Sequence, residues 1–85
     1  MTSFTYTIQD PYGVHARPAG LLVKALQGFA AEATISVGEK TVNGKKLFAL
    51  MALGIKQGTE ITLSADGPDE AEAVAAGRAV LEANL

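Results

Sequence analysis

The sequence predicts an α+β fold in which one β-sheet carries helices on one of its faces. Three short segments alternate apolar and polar residues as half-buried strands do, and a fourth returns from a tight turn after the second. Three further segments have the apolar spacing or the terminal residues of helices. The order is strand, helix, strand, strand, helix, strand, helix, and a single sheet with helices on one face can bury all of these apolar stripes.

The first predicted strand contains Phe4, Tyr6 and Ile8, which alternate with polar residues. Aromatic and β-branched residues in this pattern are typical of a half-buried strand. The segment from Asp10 to Gly13 is a predicted turn, because proline and glycine both set unusual backbone angles.

The first helix is predicted from about Ala16 to Gln27. Pro18 lies in its first turn, where a residue without an N–H group is tolerated. Gly28 is expected to end the helix in the left-handed conformation. The apolar stripe has the i, i+3, i+4, i+7 spacing of a core-facing helix, and it consists of Ala19, Leu22, Val23 and Leu26.

The segment from Ala33 to Val37 is the second predicted strand, and a turn at Gly38-Glu39 leads into the third, Lys40 to Asn43. After a further turn, residues 47–53 are almost wholly apolar and are followed by Gly54, which is expected to end a short helix. A helix of two turns cannot bury every one of these side chains in so small a protein.

The fourth predicted strand spans Ile61 to Ala65, with alternate side chains inward. The last helix starts either with Gly67 as cap and Pro68 as its first residue, or with Asp69 as cap, and the sequence leaves both open. Gly77 indicates close packing, because glycine weakens a helix interior by about 1 kcal/mol relative to alanine. The apolar face of this helix comprises Ala73, Val74, Gly77, Val80 and Leu81. The first and second strands are expected to be parallel with another strand between them, because a long helix joins them.

Composition excludes several classes of function. The chain of 85 residues has no cysteine and one histidine, so no disulfide framework, metal site or cofactor is expected. A net charge of −2 without a basic run argues against nucleic-acid binding. The sequence has no secretory pattern, and it lacks the about 20 consecutive apolar residues that a membrane-spanning helix needs. We therefore expect a cytoplasmic protein that does not insert into membranes. We expect one domain, residues 1–85.

His15 is the only histidine and lies at or just before the start of the first helix. The free N–H groups of a helix start, with Arg17 two residues after the histidine, form a setting that favours an anion. Imidazole is also a nucleophile at neutral pH. These features together suggest a histidine that accepts a phosphoryl group, although on spacing alone an incidental histidine is the commoner explanation.

Residues 13–19, Gly-Val-His-Ala-Arg-Pro-Ala, resemble the active-site signature of the HPr family, the histidine-containing phosphocarriers of the bacterial phosphoenolpyruvate:sugar phosphotransferase system. The resemblance continues through residues 46–48, 53–54, 57–59 and 64–67, and so covers essentially the whole chain. It implies a four-stranded antiparallel sheet of order 1-4-2-3 under three helices, an open-faced β-sandwich.

The resemblance also implies the roles of individual residues. His15 would accept phosphate on its Nδ1 (pros) nitrogen from enzyme I and pass it to sugar-specific IIA components, as a stoichiometric carrier and not an enzyme. Ala16, Arg17 and Pro18 would bind the phosphate, with Arg17 also part of the reacting site. The partner-binding surface of the protein would comprise Gly20, Leu21, Lys24, Leu47, Phe48 and Met51. For the last three residues, the alternative is that they belong to a buried core helix. We expect a monomer.

Lys46 departs from the pattern, since many family members have a serine there that an ATP-dependent kinase phosphorylates as a regulatory switch. Lysine cannot form that ester, which puts the serine-linked regulation in doubt. Two other functions stay open: a carrier for a nitrogen-linked regulatory branch, and an interaction module in which His15 is passive.

Overall fold

The strands and helices follow one another in the predicted order in a computed structural model that describes residues 1–85. The strands are β1 (Thr2–Thr7), β2 (Glu32–Val37), β3 (Lys40–Asn43) and β4 (Glu60–Asp66). The helices are α1 (Ala16–Gln27), α2 (Leu47–Met51) and α3 (Glu70–Asn84).

The four strands form one antiparallel sheet of order β1-β4-β2-β3. Because β4 is antiparallel to both β1 and β2, these two run parallel on either side of it. The register sets Leu63 opposite Phe4 of β1 and opposite Ile35 of β2, so inward side chains from three strands meet in one row. The α+β fold, the strand order and the parallel pair with a strand between are confirmed.

The core lies between the sheet and the helices. Ala33 and Ile35 of β2 are buried and Val37 is half-buried. The inward residues of β4 and the predicted stripe of α1 are buried. The opposite sheet face carries hydroxyl side chains such as Thr5, which lies 3.4 Å from Thr62, and Ser36, which lies 3.0 Å from Thr41. These side chains are exposed or half-buried, so the helices cover one face of the sheet.

The close packing predicted at Gly77 is confirmed. A Cβ atom there would overlap the Leu63 side chain and would lie 3.4 Å from the Leu26 side chain. The missing side chain therefore lets α3 approach β4 and α1 closely. The rest of the predicted α3 face is buried except for Val80, which is half-buried.

The end of α1 differs from the prediction. Gly28 has φ −74° and ψ −4°, so it is right-handed and not left-handed. The N–H groups of Gly28 and Phe29 donate to the carbonyls of Ala25 and Leu26 at 3.4 and 3.2 Å. These hydrogen bonds join residues three positions apart, as in a 3₁₀-helix, and they tighten the last turn and occupy its carbonyls. A left-handed residue is therefore not needed to end the helix.

Helix α2 ends at Met51, two residues before the predicted end. The N–H groups of Leu53 and Gly54 donate to the carbonyls of Leu50 and Met51, again with three-residue spacing. Gly54 has φ +62° and stops the helical turn, as predicted. The segment is thus one α-helical turn followed by a tighter one.

Asp69 is the residue that precedes α3, which decides between the two predicted starts. Its side chain does not cap its own helix. The carboxylate instead accepts the N–H groups of Ala30 at 2.8 Å and Ala31 at 2.7 Å. These hydrogen bonds hold the pKa of Asp69 below its usual value and tie the start of α3 to the loop after α1.

Three donors surround the carboxylate of Glu70, the first residue of α3. The Thr2 hydroxyl donates at 2.6 Å, the Met1 ammonium lies at 3.0 Å and the Gly67 N–H donates at 3.3 Å. The Thr2 hydrogen bond, followed by the Met1 and Gly67 contacts, lowers the pKa of Glu70 from 4.5 to about 2. A carboxyl group whose folded pKa is depressed stabilises the fold above its unfolded pKa and loses that contribution as pH falls through the folded pKa.

We therefore expect Glu70→Gln to lower the melting temperature at pH 7. The difference from the wild type should shrink between pH 4.5 and pH 2, where the wild-type carboxylate is also being protonated. Thermal unfolding at several pH values measures this. Glu72→Gln is the matched control, since it removes the same charge from the same turn without these donors. A difference for Glu70→Gln that does not change with pH would contradict the charge-based account.

None of the three helices combines the length and the hydrophobicity that crossing a membrane requires.

Candidate functional site

A tight loop joins β1 to α1 and carries the histidine at its end. The Gly13 N–H donates to the Asp10 carbonyl at 2.9 Å, which closes a turn. The Asp10 side chain accepts the Tyr12 N–H at 2.8 Å, the side-chain turn for which aspartate is suited. The predicted turn from Asp10 to Gly13 is confirmed, and its stability comes from both the backbone and the side chain of Asp10.

Gly13 fits this loop against the segment that follows α2. It is buried, its φ is +67°, and a Cβ atom would lie 2.8 Å from the Cα of Lys56 and clash with the Ile55 carbonyl. The next residue, Val14, donates its N–H to the same Ile55 carbonyl at 3.0 Å. A residue without a side chain and with a left-handed backbone is therefore required where the loop turns toward His15.

His15 is the N-cap residue of α1, as predicted. Its backbone is extended (φ −108°, ψ 175°) and its carbonyl accepts the Ala19 N–H at 3.0 Å. The imidazole makes no capping hydrogen bond and its side chain is 43% exposed. The N–H groups of Ala16 and Arg17 belong to the first turn and therefore have no partner within the helix, which makes this helix start favourable for an anion.

Arg17 lines the same cavity as the imidazole and has no partner of its own. It is exposed, and its guanidinium forms no hydrogen bond or ion pair with the rest of the chain. Pro18 is buried in the first turn of α1. A cavity of about 220 Å³ brings these side chains together, and it is lined by Asp10, His15, Arg17, Pro18, Leu21 and Asn84. An anion in this cavity can bind the guanidinium without displacing a protein contact.

Asp10 and Tyr12 are the neighbours of His15 that sequence reasoning missed. The Oδ2 atom of Asp10 lies 3.7 Å from Nε2 of His15. The Tyr12 ring contacts the imidazole edge-on, with ring centroids 6.0 Å apart and an interplanar angle of 76°. The sequence predicts only a turn for both residues. An aspartate and an aromatic residue within five positions of the sole histidine were the signal available, but the sequence does not give their orientation.

The residues expected to bind partners differ in exposure. Phe48 is 86% exposed, Leu21 44% and Met51 37%. Lys24 is exposed, whereas Gly20 and Leu47 are half-buried. Leu50 of α2 is 1% exposed and belongs to the core. One side of α2 thus joins the core through Leu50, and the other side, with Phe48, is open to solvent.

The chain matches a family model described as "PTS HPr component phosphorylation site" over residues 2–83. It is also 45% identical over 76 residues to the phosphocarrier protein HPr of Mycoplasma capricolum, which covers 89% of this chain and 85% of that relative.

Solved structures agree with the sequence match. A histidine-containing phosphocarrier protein from Mycoplasma superimposes with a TM-score of 0.91 at 42% identity, covering 93% of this chain and 90% of the other. A structure described as an HPr dimer from Thermoanaerobacter tengcongensis superimposes with a TM-score of 0.78 at 37% identity, covering 98% and 95% of the two chains. The family match over nearly the whole length, the identity and the common fold lead to one conclusion: the chain belongs to the HPr family, the phosphocarriers of the phosphotransferase system, which carry phosphoryl groups and are not themselves catalysts.

Proposed function

We propose that His15 accepts a phosphoryl group on Nδ1 from enzyme I and donates it to IIA components of sugar permeases. The observation that carries this proposal is the position of the imidazole, which is half exposed at the start of α1 in one cavity with an unpaired guanidinium. Nε2 faces Asp10, so Nδ1 is the ring nitrogen with no carboxylate beside it.

Groups at the start of α1 would hold the phosphate. The Ala16 and Arg17 N–H groups lack intrahelical partners, and the Arg17 guanidinium offers charge-assisted hydrogen bonds. Pro18 has no N–H to offer, so we assign it the role of fixing the backbone of this turn. Phosphoryl transfer depends mainly on positioning and charge stabilisation, which these groups can supply.

We further propose that partners dock on a surface formed by Gly20, Leu21 and Lys24 of α1 with Leu47, Phe48 and Met51 of α2. The exposure of Phe48, Leu21 and Met51 supports this, because large apolar side chains open to solvent often mark interaction sites. The two helices pack against each other. A small surface of this kind suits a carrier that must release each partner after transfer.

Phe48→Ala is expected to weaken transfer and to leave stability nearly unchanged, because the side chain is 86% exposed. An aromatic anchor at an interface is typically worth about 1–2 kcal/mol, which corresponds to roughly a tenfold increase in KM for the partner. Steady-state transfer kinetics and thermal unfolding measure the two effects. Leu50→Ala, in the same helix but buried, is the contrast and should cost about 2–5 kcal/mol of stability. A wild-type KM for Phe48→Ala would remove Phe48 from the partner surface.

The test of the function is incubation with phosphoenolpyruvate and enzyme I. The chain should gain one phosphoryl group, and a panel of IIA proteins should then remove it. Acceptance by nitrogen-branch components alone would assign the carrier to that branch. No gain of phosphate, in a reaction where another HPr is phosphorylated, would contradict the proposal.

We propose that the exchange takes place in the cytoplasm, and that residues 1–85 act as a single domain and a monomer. The continuous helix-covered sheet and the accessibility of the docking side chains in one copy support the last two proposals. A similar solved protein is described as a dimer, so the molar mass in solution is the measurement to make.

The exposed Lys46 precedes α2 and offers no hydroxyl for a serine-type switch.

A further inference from the structure

We propose that Asp10 is a positioning residue for His15, whose carboxylate keeps the imidazole proton on Nε2 and so leaves the Nδ1 lone pair free to attack phosphorus. The proposal rests on the function proposed for His15, since it concerns the same phosphoryl transfer. It adds a residue from the loop after β1 to a site otherwise built at the start of α1.

The position of the Asp10 carboxylate is set by hydrogen bonds on all sides of the residue. The Asp10 N–H donates to the backbone oxygen of Leu85 at 2.9 Å, and the Asp10 carbonyl accepts the Gly13 N–H at 2.9 Å. Oδ1 accepts the Tyr12 N–H at 2.8 Å, which leaves Oδ2 as the oxygen that faces the imidazole. The side chain is 22% exposed. The carboxylate is therefore held in place and partly shielded from water.

The Oδ2–Nε2 distance of 3.7 Å is longer than a hydrogen bond but is close enough for direct electrostatic attraction. A neutral imidazole has its proton on one of its two nitrogens, and the neighbouring groups decide which one. A negative oxygen beside Nε2 favours the proton there. Tyr12 contacts the ring edge-on. Arg17 is the other charged side chain that lines the cavity, and its guanidinium cannot accept a hydrogen bond from the imidazole.

The chemical steps balance without movement of a proton. The Nδ1 lone pair forms the N–P bond while the bond between phosphorus and the phosphorylated donor breaks, with its electron pair going to the donor. His15 is then a phosphorylated imidazolium with its proton still on Nε2. Its positive charge faces the Asp10 carboxylate. On transfer to the acceptor, the electrons of the N–P bond return to Nδ1 and restore the neutral ring. One carboxylate thus serves both acceptance and donation.

Asp10→Asn is the variant that separates charge from shape. Asparagine forms the same side-chain turn, so its oxygen can still accept the Tyr12 N–H while the negative charge is lost. Asp66→Asn is the matched control, because Asp66 is an exposed aspartate at the end of β4 that does not line the cavity. Thermal unfolding of both variants verifies that they are folded.

The first measurement is the ¹⁵N spectrum of the imidazole in the free, unphosphorylated protein. The wild type should show predominantly the tautomer with hydrogen on Nε2, and Asp10→Asn should shift the ratio severalfold toward hydrogen on Nδ1. The second is the single-turnover rate of phosphoryl uptake from enzyme I. It should fall roughly tenfold in Asp10→Asn, the order expected for one charge about 4 Å from the ring at a partly solvated site. The KM for enzyme I should not change, since Asp10 is outside the proposed docking surface.

The outcomes distinguish the two proposals. A wild-type ring without predominant Nε2 protonation would overturn the role of Asp10, and this measurement needs no variant. An unchanged tautomer ratio and rate in Asp10→Asn, with normal phosphorylation of the wild type, would overturn it as well while leaving the carrier function intact. Absence of phosphate uptake by the wild type would instead overturn the proposed function, and the tautomer spectra would still test the Asp10–His15 contact.

Discussion

His15→Ala is expected to abolish phosphoryl uptake from enzyme I, because the chain has no other imidazole to serve as acceptor. Intact-mass measurement after incubation with phosphoenolpyruvate and enzyme I should show one added phosphoryl group on the wild type and none on the variant. The wild-type phosphate should be labile in acid and stable in alkali, as expected of a phosphorus–nitrogen bond.

Folding should be little affected by this substitution. The imidazole makes no capping hydrogen bond at α1 and is 43% exposed, so its removal creates no buried cavity and leaves no new unpaired group. A melting temperature close to that of the wild type is therefore the control that assigns the loss to chemistry. Phosphate that remains on the variant would show that another side chain is the acceptor and would end the phosphohistidine interpretation.

The motif around His15 could be read from the sequence because its parts are local. Pro18 and the apolar stripe after it indicate where α1 starts, and that start determines which N–H groups are unpaired. The helix-start position of His15 and the nearness of Arg17 follow from chain connectivity alone. One sheet with helices on one face was predictable for a related reason, since the periods of the apolar residues show which side of each element faces the core. The strand order, by contrast, came from the family resemblance.

The contacts that the sequence did not reveal depend on segments far apart in the chain. The carboxylate of Asp10 faces His15 because Leu85 and Tyr12 hold the loop from either side. Aspartate is a residue type that commonly caps helices, but the Asp69 carboxylate instead accepts a hydrogen bond from the N–H of Ala30, 39 positions earlier in the chain. A residue's type limits the hydrogen bonds it can make, whereas the approach of distant segments decides which of them form.

The end of α1 shows the same limit at the level of the backbone. Glycine after an apolar stripe commonly adopts the left-handed conformation, but Gly28 does not. The carbonyls at the helix end can be satisfied in more than one way, and residue type alone does not choose among them. At Gly13, by contrast, both the backbone angle and the surrounding space require glycine.

Gly13→Ala is the substitution from which we expect the largest combined loss of stability and transfer. A left-handed backbone costs a residue with a Cβ about 1–2 kcal/mol. The Cβ would also lie 2.8 Å from the Lys56 Cα and clash with the Ile55 carbonyl, and these backbone atoms cannot rotate away as a side chain can. Overpacking of this kind typically adds about 1–3 kcal/mol. The expected total is therefore about 2–5 kcal/mol, measured by denaturant unfolding.

Gly38→Ala isolates the contribution of the backbone angle. Gly38 has φ +59°, close to the +67° of Gly13, but a Cβ atom there would meet nothing within 4 Å. Its substitution should cost only the about 1–2 kcal/mol of the left-handed conformation and should leave transfer unchanged. Gly13→Ala should in addition slow phosphoryl uptake severalfold, because relief of the clash moves the loop that carries Asp10, Tyr12 and His15. If the two variants lose equal stability and both transfer at the wild-type rate, the contact between Gly13 and the Ile55–Lys56 backbone does not determine the position of the histidine.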